Sequence, residues 1–208
     1  VYNFEERQDK IILNPEICKG AAIYGYPGKK SSLEVPELRK IKLQDAPGYF
    51  KIFMLHTSIK SAIGNLPIDS ISETELPEAG YYALGHLHID YSEGKFVYSG
   101  PIFPNNFQEL EDLKHGFFHI VEVKNNQIIC EKMNLKLKEV ELVDLEITNA
   151  LLANEKIILE LSKRNLENKI IMLRLHGKLE QGKQSSINFN QIEDYVLSKK
   201  AFTLVRSI

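Results

Sequence analysis

The chain has 208 residues, 43% apolar and 26% charged, a composition that excludes intrinsic disorder and fits a globular fold. A formal net charge of −2 excludes a global electrostatic pull toward nucleic acid. No apolar run approaches the roughly 20 residues that span a bilayer, and no secretory leader is visible, so the reading expects no membrane and a cytoplasmic protein. Cys18 and Cys130 are expected as reduced, buried thiols. The charge is uneven: residues 1–135 hold 14 Lys/Arg against 18 Asp/Glu, and residues 136–208 hold 12 against 10. The opening Val1-Tyr2-Asn3-Phe4 is apolar, strand-like and lacks a methionine, and it reads as a segment from the middle of a longer protein.

In chain order, Ala21 to Tyr26 is an apolar run closed by Pro27 and Gly28, which predicts a buried strand entering a loop. Lys29 to Lys42 sets leucines at helical spacing and predicts a helix with Pro36 near its start. Tyr49 to Leu55 is strongly β-prone and ends at His56, and Tyr81 to Leu84 ends at Gly85-His86-Leu87-His88. Lys95 to Ser99 and Gly116 to Lys124 are further strands, the latter pairing with 125–135 as a hairpin across Asn125-Asn126. After about residue 135 the pattern becomes β-α-β-α-β. Lys136 to Glu146 is a strand with Val140, Leu142 and Leu145 inward. Thr148-Asn149 caps a helix to about Asn165 with Leu151, Leu152, Ile158 and Leu161 at helical spacing. Ile170 to Leu179 is a strand, Asn190 opens a short helix, and Ala201 to Ile208 is the last strand. The expectation is an α/β protein in two domains, 1–135 and 136–208.

Gly85-His86-Leu87-His88 is the sharpest chemical signal. On an extended backbone residues i and i+2 point to one side, so both imidazoles can face one metal cluster at the carboxyl end of a buried strand. His56 closes a second strand in the same manner. Neutral imidazole ligates manganese, iron or zinc. A His-x-His pair is also commonly incidental, and the residue types alone leave both readings open.

Phe53-Met54-Leu55-His56, then Tyr81-Tyr82-Ala83-Leu84-Gly85-His86-Leu87-His88, then Tyr98-Ser99-Gly100-Pro101 resemble the later motifs of calcineurin-like metallophosphoesterases. Within that superfamily the chain is similar to the SbcD-type, or meiotic-recombination-eleven, nucleases of double-strand-break repair. Gly116 to Phe118 fits the same branch, whereas Pro101 stands where serine is usual. The resemblance implies the carboxy-terminal part of a metallophosphoesterase β-sandwich flanked by helices over 1–135, and a small α+β DNA-capping domain over 136–208. It implies manganese-dependent exonuclease and endonuclease action on DNA ends, a homodimer, and a coiled-coil ATPase partner of the SbcC type. It assigns His56 and His86 to one Mn2+ and His88 to a second.

The family's Asp-x-His, Gly-Asp and Gly-Asn-His-Asp motifs, which supply the remaining ligands and the catalytic histidine, do not occur here. No catalytic residue is therefore expected in this chain, which alone should bind metal weakly and not cut DNA. Asp90 is a candidate to orient a metal-binding histidine from behind. Asn105 and Asn106 are candidates to meet phosphate or sugar, and Lys178, Lys183 and Gln184, with Lys199 and Lys200, to meet phosphates as a group. His115, His119 and His176 are expected to be structural or surface residues. Two other readings stay open, a metal-free scaffold or binding module of the same fold, and a small-molecule phosphodiesterase.

Overall fold

Strands of a parallel sheet are apolar on both faces and need a covering layer on each side. The computed structural model describes residues 3–7 and 9–208, so Val1 and Tyr2 of the expected opening strand lie outside the described residues. The chain divides into two compact units, Val1–Pro101 with Phe117–Met133, and Ile102–Gly116 with Asn134–Ile208. The crossing near 133 falls beside the cut at 135, while 102–116 groups with the second unit rather than the first.

In the first unit the elements are β1 (Phe4–Arg7), β2 (Lys10–Leu13), β3 (Glu16–Cys18), β4 (Ala21–Tyr26), α1 (Val35–Leu38), β5 (Ile41–Leu43), β6 (Phe50–His56), α2 (Lys60–Ile63), β7 (Tyr81–Gly85), β8 (Asp90–Glu93) and β9 (Phe96–Ser99). A six-stranded sheet runs β3-β4-β6-β7-β9-β8, parallel through its four central strands and antiparallel at both edges. A small second sheet runs β1-β2-β5. Alternation along the central strands turns Tyr24, Phe53, Leu55, Tyr82, Leu84 and Tyr98 into one buried core. The expected helix over Lys29–Lys42 is not formed. Pro36 sits in the single turn α1, only Val35 and Leu38 of that turn are buried, and Ile41 and Leu43 instead pair with Ile11 and Leu13 of β2.

A hairpin of β10 (Gly116–Lys124) and β11 (Gln127–Leu135) forms across Asn125 and Asn126, both with φ in the left-handed region at 51° and 61°. Two consecutive left-handed residues match the twist of a tight hairpin, and asparagine tolerates that conformation. Both cysteines are free thiols, but neither is buried: Cys18 is exposed at the end of β3 and Cys130 is half-buried on β11.

The second unit is built on β12 (Glu139–Glu146), β13 (Lys169–His176) and β14 (Thr203–Ser207), all parallel in the order β12-β13-β14. Helices α4 (Ala153–Ser162) and α5 (Phe189–Ser198) connect them, so this unit is itself α/β rather than α+β. Val143, Ile171 and Leu173 on one face pack with Ile157, Leu161, Ile192 and Val196. Ile170 and Met172 on the other face pack with Leu110 of α3 (Phe107–Leu113). That second face is why 102–116 belongs here. Because both faces are apolar, Val140 and Leu142 of β12 point to the α3 side while Val143 and Leu145 point to the α4 and α5 side, not all one way as expected. The buried stripe of α4 is Ala153, Ile157 and Leu161, and Leu151 and Leu152 are exposed before its first turn.

Candidate functional site

β6 and β7 run parallel with His56 opposite Gly85, which brings their carboxyl ends to one level. The chain then leaves β7 through His86 at φ 97°, a region where a non-glycine residue is strained. His86 and Leu87 form a bend and not extended backbone, and the same-side argument for residues i and i+2 does not apply. The bend instead sets the His86 ring 5.2 Å from the His56 ring, edge to face at 72°. All three imidazoles are exposed. Burial of part of the His56 ring holds its pKa below the ordinary value; the charges of His86 and His88 act in the same direction, and Glu34 opposes them. A neutral imidazole is the form that ligates metal.

Two glycines make room for His56. A Cβ at Gly28 would lie 2.7 Å from both the His56 carbonyl oxygen and its Cδ2, and one at Gly85 would lie 3.1 Å from its Nδ1. The strand end is tied down from two directions. The buried Glu34 carboxylate accepts from the Thr57 hydroxyl at 3.0 Å and from the Lys29 backbone N–H at 3.0 Å. The buried Tyr98 hydroxyl donates to the Thr57 carbonyl at 2.8 Å and accepts from the Ile59 N–H at 2.9 Å. Glu34 carried no signal in the sequence, since a glutamate in a charged stretch reads as a solvated surface residue.

His56 lies on the same face of the sheet as Ile52 and Met54. Across β4, β6 and β7 that face is apolar yet only partly covered, with Met54 48% exposed. A cavity of about 410 Å³ opens on it, lined in part by Gly25, Met54, His56, Ala83 and Gly85. Toward β7 the Tyr81 hydroxyl is pushed up to about 12, by burial first and then by the nearby Cys130 thiol.

Two imidazoles meet, but among the described residues no three His, Cys, Asp or Glu side chains stand close enough together to hold an ion. Hard divalent cations favour carboxylate oxygens, and no such group of donors is completed here. These residues fit one side of a metal centre and not a closed one.

Asp90 approaches the buried His119 Nε2 at 3.3 Å and accepts from Lys132 Nζ at 2.8 Å. His119 Nδ1 is buried without a hydrogen-bond partner among the described residues, and Lys132 stands 3.9 Å over the Phe117 ring. The His119 side chain is thus largely buried, which agrees with the structural half of the expectation, and its partnership with Asp90 was not foreseen. Asn106 caps α3, its side chain accepting from the Glu109 N–H at 2.9 Å, while the Asn105 N–H donates to the Glu109 carboxylate at 2.8 Å. Lys178, Lys183 and Gln184 are exposed. Lys199 stands over the Tyr195 ring, Lys200 lies 3.6 Å from Glu167, and His176 lies 3.1 Å from Asp144, all on the surface. His115 is half-buried, its Nδ1 3.2 Å from the Gly116 carbonyl oxygen.

No protein-family model matches the chain. It is similar to a protein of Methanocaldococcus jannaschii named DNA double-strand break repair protein Mre11, at 26% identity over 194 residues, covering 89% of this chain and 47% of that protein. The chain thus spans about half the length of the relative it matches. No helix among the described residues is long and apolar enough to cross a membrane.

Proposed function

We propose that this chain carries one side of the metal centre of a DNA-repair nuclease, with His56, His86 and His88 as imidazole donors. The observation that carries the reading is the meeting of His56 and His86, 5.2 Å apart, where two adjacent parallel strands end. Similarity to a protein named for double-strand-break repair supports it. On this reading the fold is part of a metallophosphoesterase sandwich, and the second unit is its DNA-capping domain. The metal is manganese, two ions per site, and its carboxylate ligands and catalytic histidine come from outside the described residues. The protein acts on DNA ends as a homodimer with a coiled-coil ATPase of the SbcC type. A bound pair of ions supplies Lewis acidity and an activated water for phosphodiester hydrolysis.

This chain's own residues then have defined tasks. Gly28 and Gly85 admit the His56 ring, and Glu34 and Tyr98 hold the strand end that carries it. Partial burial lowers the His56 pKa, which favours the neutral ring that can donate a lone pair. The partly covered apolar face beside it is suited to a further protein layer, and a layer placed there would also reach His56.

A second reading, a metal-free scaffold of the same fold, is favoured by a donor group that is not completed among the described residues. The two separate by activity of the full gene product. Manganese-dependent cutting that is lost in His86→Ala supports the nuclease reading, and cutting that persists in that variant overturns it. Full function in repair with no metal requirement would establish the scaffold.

A further inference from the structure

The second unit holds a groove of about 580 Å³ where β12 and β13 begin, lined in part by Lys114, His115, Lys136, Lys138 and Lys169. Its acidic residues already have partners. Lys169 lies 3.7 Å from Glu139 and 3.2 Å from Glu141, and Lys200 lies 3.6 Å from Glu167. Lys138 donates to the Asn168 side-chain amide, a neutral group, and stands 5.0 Å over the Phe202 ring. Lys114 and Lys136 are exposed and have no carboxylate partner among the described residues. Three lysines that line one groove therefore have no carboxylate partner among the described residues, and the groove's acids are otherwise engaged.

Lys114 occupies the position after α3 with φ 62°, where glycine or asparagine is the usual choice and a bulkier residue costs roughly 1 kcal/mol. Lysine stands there against backbone preference. The groove is flanked by exposed apolar surface, Leu137 at 64% and Phe202 at 58% exposure. Spaced cations beside exposed apolar and aromatic groups are the surface that binds a nucleic-acid strand, phosphates on the ammoniums and bases or sugars on the apolar flank.

We infer that this groove binds the phosphodiester backbone of a nucleic-acid strand through Lys114, Lys136 and Lys138. The inference deepens the nucleic-acid reading above and is independent of the metal donors. It also names a surface apart from the Lys178–Lys183 loop. β13 runs from Lys169 at the groove to His176 just before that loop, roughly 23 Å at strand rise, so one phosphate cannot touch both.

The test is fluorescence anisotropy of a labelled single-stranded oligonucleotide with the full chain over a salt series, inorganic phosphate serving as competitor. Lys114→Glu with Lys136→Glu should weaken binding roughly tenfold and lower the salt slope by about 1.4, near 0.7 per lost phosphate contact. Lys114→Arg with Lys136→Arg should keep both. Since both side chains are exposed, thermal melts of all variants should coincide. Unchanged affinity and slope in the glutamate pair, with weakening in Lys178→Glu/Lys183→Glu, overturns the groove and leaves the nucleic-acid reading standing. No binding by the native chain at low salt overturns both. Displacement by inorganic phosphate as effective as by unlabelled oligonucleotide overturns the polymer ligand.

Discussion

Gly28→Ala tests the wall around His56. The added Cβ would stand 2.7 Å from the His56 carbonyl oxygen, 2.7 Å from Cδ2 and 3.1 Å from Cβ. Two of these atoms are main chain or Cβ, so no rotamer change removes the clash, and the neighbouring Thr57 is anchored by Tyr98 and Glu34. Ordinary contact begins at 3.4 Å, so the elements must part by about 0.7 Å. Overpacking of this kind costs about 1–3 kcal/mol. At about 2–4 °C per kcal/mol for a chain of this size, the melting temperature should fall by about 2–12 °C. Circular dichroism gives the melt, and NMR of the histidine rings reports whether the His56 and His86 signals move together. An unchanged melt with unchanged ring signals would refute the claim that Gly28 positions His56.

Asp90→Ala removes the carboxylate that faces His119 Nε2 and Lys132 Nζ and should cost about 0.2–1 kcal/mol in denaturant unfolding. Asp90→Asn keeps an acceptor and should cost less, and equal losses contradict the pairing. Asn106→Ala removes the cap of α3 and should cost about 1 kcal/mol without altering oligonucleotide affinity. A matching loss of affinity would return Asn106 to the nucleic-acid contacts. The Glu37 carboxyl is held below its ordinary 4.5, first by the hydrogen bond from Lys29, then by that from the Tyr26 hydroxyl. A depressed carboxyl contributes stability above its unfolded value that is lost as pH falls through the folded one. The difference in urea midpoint between the native chain and Glu37→Gln should therefore be constant above about pH 5 and shrink as pH falls below 4.5. Identical acid limbs would contradict this.

The strands that carry the site were legible because each is a short apolar run with a turn signal at its end. Ala21 to Tyr26 was placed at its observed limits, and β6 and β7 within a residue. The hairpin was legible from Asn125-Asn126, whose chemistry suits left-handed backbone. Lys29–Lys42 was misread because leucines at helical spacing cannot show that Ile41 and Leu43 have a strand to join. The α4 stripe was misread because Leu151 and Leu152 are as apolar as Ile157, and the cap position alone decides which of them reach the helix. The meeting of His56 and His86 was anticipated from strand ends, while its cause, a strained φ at His86, lies beyond any pattern in residue types. Asp90 sits two residues after the histidine motif, and only the fold shows that its carboxylate engages His119 and Lys132.

Manganese titration followed by electron paramagnetic resonance addresses the donor set most directly, using the native chain and His56→Ala/His86→Ala. The proposed half-centre gives weak uptake by the native chain, further reduced when both imidazoles are removed, with the fold intact by circular dichroism. Tight binding of two ions by the native chain, or uptake indifferent to the loss of both rings, would contradict it.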